Sequence, residues 1–152
     1  MRLNEAVKER HEKDAAYVEA LKRSLQRGEA DALATAFLRA AAQATTQERM
    51  KMLAAAAAGV FTPDMDSEMR SRVSRAIMQL EPSDVLELRR LIEPERRAGI
   101  YPAPLMTPER EPLARAGCVF DASASIGGGL QVTALGRAVL AALETWEPGS
   151  QH

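Results

Sequence analysis

Hydrophobic positions recur at helical spacing over most of the chain and change to short continuous runs near its C-terminal end. The clearest stretch runs from Leu113 to Trp146. Thr133 has a hydroxyl suited to accepting from the free N–H groups of a first helical turn, and after it Leu135, Val139, Ala142, Leu143 and Trp146 fall on one face. The spacing predicts a helix from Ala134 to Trp146. Two apolar runs precede it, Cys118-Val119-Phe120 and Leu130-Gln131-Val132, separated by a turn-rich segment from Ser123 to Gly129. Gly127-Gly128-Gly129 permits positive backbone angles, so the runs read as two strands of a hairpin with the glycines at its tip. A phosphate loop is a poorer reading of the same glycines, because the lysine and hydroxyl residue of that motif are missing.

Upstream the pattern is helical. From Arg2 to Arg27 charges of both signs interleave with no glycine or proline, which predicts a helix of roughly 25 residues, about 37 Å long. Tyr17, Val18, Leu21 and Leu25 form an apolar stripe in its second half. The stripe either docks this helix on the body or makes it an arm for a second subunit or a partner; its heptads are too broken for a long coiled coil. Gly28 ends the helix and Asp31 caps the next, with Leu33, Phe37, Ala40 and Ala41 inward and Leu38 alongside. Thr45 and Glu48 have the spacing of a capping box ahead of a helix ending near Gly59, with Met50, Leu53, Ala54 and Ala57 inward. The alanines from Ala54 to Ala58 favour helix and let a neighbouring helix approach closely.

Phe61-Thr62-Pro63-Asp64 reads as a loop. Asp66 or Ser67 then begins a helix with Met69, Val73, Ile77 and Leu80 on one face, and with Arg70, Arg72, Ser74, Arg75 and Gln79 outward or on the flank. Glu81-Pro82 breaks the chain, Ser83 caps, and Val85, Leu88, Leu91 and Ile92 supply the next buried face until Pro94; so short a turn makes the two helices packed neighbours. Gly99, Pro102 and Pro104 predict an extended connection with a short edge strand around Ile100-Tyr101. Thr107-Pro108 resembles a cap followed by proline in the first helical position, but Pro112 conflicts with a helix that starts there. Either Pro112 disturbs that helix, or the helix starts at Pro112 and only about five residues remain before Gly117.

Composition narrows the class. Aromatic residues are 4% of the 152, while alanine and the aliphatic residues are plentiful, as suits helices packed through small side chains. The formal charge of −1 gives no electrostatic sign of a nucleic-acid binder. One cysteine excludes an internal disulfide, and Cys118 among apolar neighbours reads as a buried small hydrophobe. The first residues lack the apolar core of a signal peptide, and the longest apolar run, Leu53 to Phe61, is far short of the ~20 residues of a membrane span. The expectation is a soluble, cytoplasmic protein.

Candidate chemistry is sparse. The two histidines, His11 and His152, lie near opposite ends, with no pair at ligand spacing and no cysteine cluster for zinc. Ser123 and Ser125 lack a nucleophile-elbow motif, and no carboxylate pair stands out from the interleaved bases. No catalytic residue, metal or cofactor is expected. A nucleic-acid reading must use the arginines between Ser67 and Arg97, of which there are seven against six acids. Nonspecific DNA affinity depends on phosphate neutralisation, so interleaved acids remove most of what those arginines would supply. The short segment before Gly117 carries Glu109, Arg110, Glu111 and Arg115, again two of each sign, and no Asn or Gln to read adenine.

The order Leu113-Ala-Arg-Ala-Gly117-Cys-Val-Phe120, a glycine turn, and then Leu130-Gln-Val-Thr-Ala-Leu-Gly136-Arg resembles the end of many bacterial winged-helix proteins. With Glu48-Arg-Met-Lys-Met-Leu and Ile77-Met-Gln-Leu-Glu-Pro-Ser-Asp-Val-Leu upstream, the stretch from Asp31 to Trp146 is similar to the bacterial abortive-infection alpha family. That resemblance implies a fold and a link to phage and host conflict; it brings no active-site residues.

The expected architecture is mainly α with a small antiparallel β-hairpin. It comprises an N-terminal helical arm at 1–28, two packing helices at 29–62, a winged-helix-like module at 63–147 and a tail at 148–152. The expected role is that of a non-catalytic interaction protein that binds another protein or itself through Tyr17, Val18, Leu21 and Leu25. The alternative is a DNA-binding transcription regulator, for which Arg96, Arg97, Arg110, Arg115, Ser125 and Gly128 are the candidate contacts.

Overall fold

Thr133 organises the C-terminal half as its chemistry predicts. In the computed structural model its hydroxyl accepts from Gly136 N–H at 3.0 Å and donates to the Gly117 carbonyl at 2.6 Å, tying the start of one helix to the end of another. The structure describes residues 29–62, 64–96, 104–122 and 129–149, the side chains of 29–31 and 93–96 excepted. The predicted helical arm with its Tyr17, Val18, Leu21 and Leu25 stripe, the Ile100-Tyr101 strand and the hairpin tip lie outside these residues.

The elements are α1 (Glu29–Ala42), α2 (Gln47–Gly59), α3 (Ser67–Gln79), α4 (Pro82–Arg96), a 3-10 turn (Pro108–Arg110), α5 (Glu111–Arg115), β1 (Val119–Asp121), β2 (Leu130–Val132) and α6 (Ala134–Ala142). β1 and β2 pair antiparallel with Val119 opposite Val132 and Asp121 opposite Leu130. The fold is therefore mainly α with a small antiparallel hairpin. On the far side of β2, Leu130 donates to the Pro104 carbonyl at 2.7 Å. Proline has no N–H to give, and a carbonyl is all that this edge requires.

One hydrophobic cluster runs from Phe37 on α1 to Trp146 after α6, with Met52, Leu53, Ile77, Leu88, Leu113 and Leu143 among its buried members. Burial of such side chains, at roughly 25 cal/mol per Å² of apolar surface, is the main source of stability. The alanine strip acts as a contact surface: Ala56, Ala57 and Ala58 are buried, and α2 packs against both α1 and α6. At Gly59 the approach is closest, since a Cβ there would lie 1.7 Å from the Ala142 carbonyl oxygen.

Several local expectations are corrected. Thr46, not Thr45, caps α2, with extended backbone and its side chain accepting from Arg49 N–H. α4 begins at Pro82 rather than after Ser83, because proline suits a first helical position and Asp84 reaches back to accept from Glu81 N–H at 2.8 Å. It runs on through Pro94 to Arg96. The conflict between Pro108 and Pro112 is resolved by two short turns: a 3-10 turn holds the first proline, and α5 restarts at Glu111 so that Pro112 falls in its first turn, where no donor is needed. α6 ends at Ala142, and turns carry the chain on to a buried Trp146.

Arg70 and Ser74 are the largest departure, since both are buried rather than outward or flanking. Arg70 donates from Nε to the Val60 carbonyl and from Nη2 to the Met65 carbonyl, both at 2.9 Å, and its guanidinium lies 5.2 Å from the centre of the Phe61 ring. Ser74 donates to the Arg70 carbonyl at 2.7 Å. The loop between α2 and α3 thus wraps around a cation that its own carbonyls solvate.

Candidate functional site

Two surfaces of the described residues bear on function. The first is the face formed by α5 and β1, which pack against each other. On β1 Val119 is buried and Phe120, its neighbour on the opposite side of the strand, is 60% exposed, while Asp121 at the strand's end is exposed as well. Glu111 and Arg115 on α5 and Asp121 on β1 are exposed charges, and with Glu109 in the preceding 3-10 turn the stretch shows three exposed acids against one exposed base. Glu109 is held below the usual carboxylate range by backbone and Thr107 hydrogen bonds and by the neighbouring Arg110, so it is charged at neutral pH.

Arg110 is not one of the outward bases. Its Nε pairs with Glu87 on α4 at 3.0 Å, and Nη1 donates to the Leu105 carbonyl at 2.5 Å. Its side chain spans α4, the connection and the 3-10 turn, and its charge is largely spent on that bridge. Of the other candidate nucleic-acid contacts, Arg115 is exposed at the end of α5. Arg97, Ser125 and Gly128 lie outside the described residues, as does the side chain of Arg96.

The second surface is a groove of about 820 Å³ between α4 and the C-terminal end of α6. Leu86, Ile92, Leu140 and Trp146 supply apolar wall. Arg89, Arg90 and Arg137 supply positive charge, and Glu144 and Glu147 supply negative charge. Arg89 anchors the groove: Nη2 donates to the Leu143 and Trp146 carbonyls at 2.9 and 2.8 Å, and its guanidinium lies 5.2 Å from the centre of the Trp146 ring. The Leu143 carbonyl caps α6 at the negative end of its dipole, so a cation there stabilises the helix end, and the Trp146 carbonyl lies in the segment just beyond. Arg90, by contrast, is 73% exposed at its side chain and pairs with Glu87 one turn back at 3.1 Å.

Sequence reasoning did not find this groove. Arg89 and Arg90 were visible only as members of a charge-balanced run; their placement opposite Trp146 joins residues more than fifty positions apart. A basic residue one turn from the buried stripe of α4, together with a lone tryptophan just past α6, is the signal that could have suggested it.

Cys118 is fully buried in the core, and burial pushes its thiol up to about 11, which leaves it protonated and inert at neutral pH. Among the described residues no cluster of three or more His, Cys, Asp or Glu side chains could hold a metal ion, and no helix is long and apolar enough to cross a membrane. Comparisons with protein families, curated proteins and solved structures find no match to this chain.

Proposed function

We propose that this chain is a non-catalytic interaction protein that works by contact with another polypeptide, a partner or a second copy of itself. The observation that carries the proposal is the exposed Phe120 ring on β1, in a stretch from the 3-10 turn to β1 where exposed acids outnumber exposed bases. Exposed aromatic side chains supply contact area at low entropic cost and are enriched at protein interfaces. Carboxylates at the same place repel phosphate, which is the opposite of what duplex binding needs. The apolar stripe of Tyr17, Val18, Leu21 and Leu25 offers a second contact. On the resemblance alone, we place the role in phage and host conflict, in the cytoplasm, on a winged-helix-like body.

The alternative, a DNA-binding transcription regulator, keeps Arg115 but finds Arg110 already paired with Glu87. The two readings separate in a pull-down of the tagged chain from its native cell, with nuclease-treated and untreated samples analysed for protein and nucleic acid, beside sizing of the purified chain. The proposal expects a stoichiometric polypeptide partner or a self-associated species that survives nuclease and is reduced by Phe120→Glu. Recovery of specific DNA, with no polypeptide retained after nuclease, contradicts it.

A further inference from the structure

We infer that the groove between α4 and the end of α6 is a peptide site that reads a carboxylate: an acidic side chain flanked by apolar residues on a partner polypeptide. The inference rests on the reading of this chain as an interaction protein and assigns that reading a further contact, separate from the α5 and β1 face.

Three independent features point to such an occupant. Arg89 gives only its Nη2 hydrogens to the protein, so Nε and Nη1 have no acceptor among the described residues, and no described carboxylate pairs with its charge. A guanidinium offers five N–H donors, and a carboxylate is the partner to which charge-assisted bonds from them are strongest. Arg90 stands beside it and is held only by an exposed pair within its own helix, a contact that an incoming anion can displace. Trp146 is 3% exposed, and its indole N–H is buried with no hydrogen-bond partner among the described residues, although Trp146 forms part of the groove wall. A buried donor without an acceptor is uncommon in folded proteins. A peptide carbonyl is an acceptor of the kind this donor lacks.

The charge pattern and shape select the ligand class. Glu144 and Glu147 share the groove with the arginines, so a dense polyanion such as a nucleic-acid backbone meets more repulsion there than a single carboxylate. Leu86, Ile92 and Leu140 offer apolar surface next to that charge, which suits a segment whose acidic residue has aliphatic neighbours.

The chain has one tryptophan, so a single indole N–H resonance reports on the site. The full chain is titrated separately with acetyl-Leu-Glu-Leu-amide, acetyl-Leu-Gln-Leu-amide and inorganic phosphate. The inference expects a saturable shift of the indole resonance with the acidic peptide, binding about tenfold weaker for its glutamine counterpart, and a weaker response or none with phosphate. Arg90→Gln, a surface change that leaves the core intact, should weaken the acidic peptide several-fold without altering the rest of the spectrum. Equal response to both peptides, a stronger response to phosphate, or silence from every probe at about 10 mM overturns it. If the indole is silent while the pull-down partner is retained, the groove assignment falls and the interaction reading stands. If the pull-down finds only DNA, the interaction reading falls whatever the indole does.

Discussion

Gly59 shows how tightly a single position can be constrained. In an ordinary helix, replacing glycine by alanine stabilises by up to ~1 kcal/mol because alanine loses less entropy on folding. Here the added methyl would lie 1.7 Å from the Ala142 carbonyl oxygen, which is backbone and has no rotamer to escape into. Gly59→Ala should therefore destabilise, by at least the ~1–3 kcal/mol typical of overpacking, in urea unfolding followed by circular dichroism. A stabilised variant would mean that α2 and α6 are not in this contact. Cys118 gives a second test at the same scale. Its thiol is raised in the folded state, so the unfolded chain loses its proton first as pH rises. The stability it contributes is complete below the unfolded value, near 9, and falls between there and about 11. In the native protein at pH 8 it should resist a thiol reagent that reacts promptly once urea is added; prompt native reaction would show that Cys118 is not buried.

At the scale of elements, arginine side chains join helices through backbone carbonyls more than through carboxylates. Arg49 donates to the carbonyls of Met78 and Leu80 at the end of α3, Arg70 to those of Val60 and Met65 in the loop before α3, and Arg89 to those of Leu143 and Trp146 after α6. Each donates to carbonyls at a helix end or in a loop, where intrahelical partners run out, although the Leu143 carbonyl also accepts from Trp146 N–H. Arg70 is the most buried of the three, and its planar fork spans two carbonyls while stacking on Phe61. Arg70→Ala should cost about 3–5 kcal/mol, because it strands buried acceptors and opens a cavity. Arg70→Lys should recover less than half of that, since a point charge cannot bridge both carbonyls and stack as well. Chemical denaturation of the two variants checks the order; equal stability of wild type and Arg70→Lys would show that charge alone suffices.

For the whole molecule, the sequence made most of the helices and the hairpin legible, because their signals are local. Thr133 announced α6, the glycine-rich segment announced a hairpin between two short strands, and the stripes of α3 and α4 matched the buried Val73, Ile77, Val85 and Leu88. What it hid was tertiary. Arg70 looked like surface because nothing in its neighbourhood said that Val60 and Met65 would turn their carbonyls towards it. The pairing of Arg110 with Glu87, 23 positions away, was equally silent, and it removes a base from the surface on which a DNA reading depends. The groove between α4 and α6 belongs to the same class of fact, since it exists only once distant helices have packed.

The most direct test of the central claim, that this surface suits polypeptide better than polyphosphate, is titration of the purified chain into a fluorescent 20-base-pair duplex of mixed sequence, read by anisotropy near 150 mM salt and again near 50 mM. The account predicts no binding tighter than the weakest nonspecific range, a Kd of about 10⁻⁴ M, and little change between the two salts. A submicromolar Kd that weakens steeply as salt rises would show that a coherent basic face exists, and would contradict it.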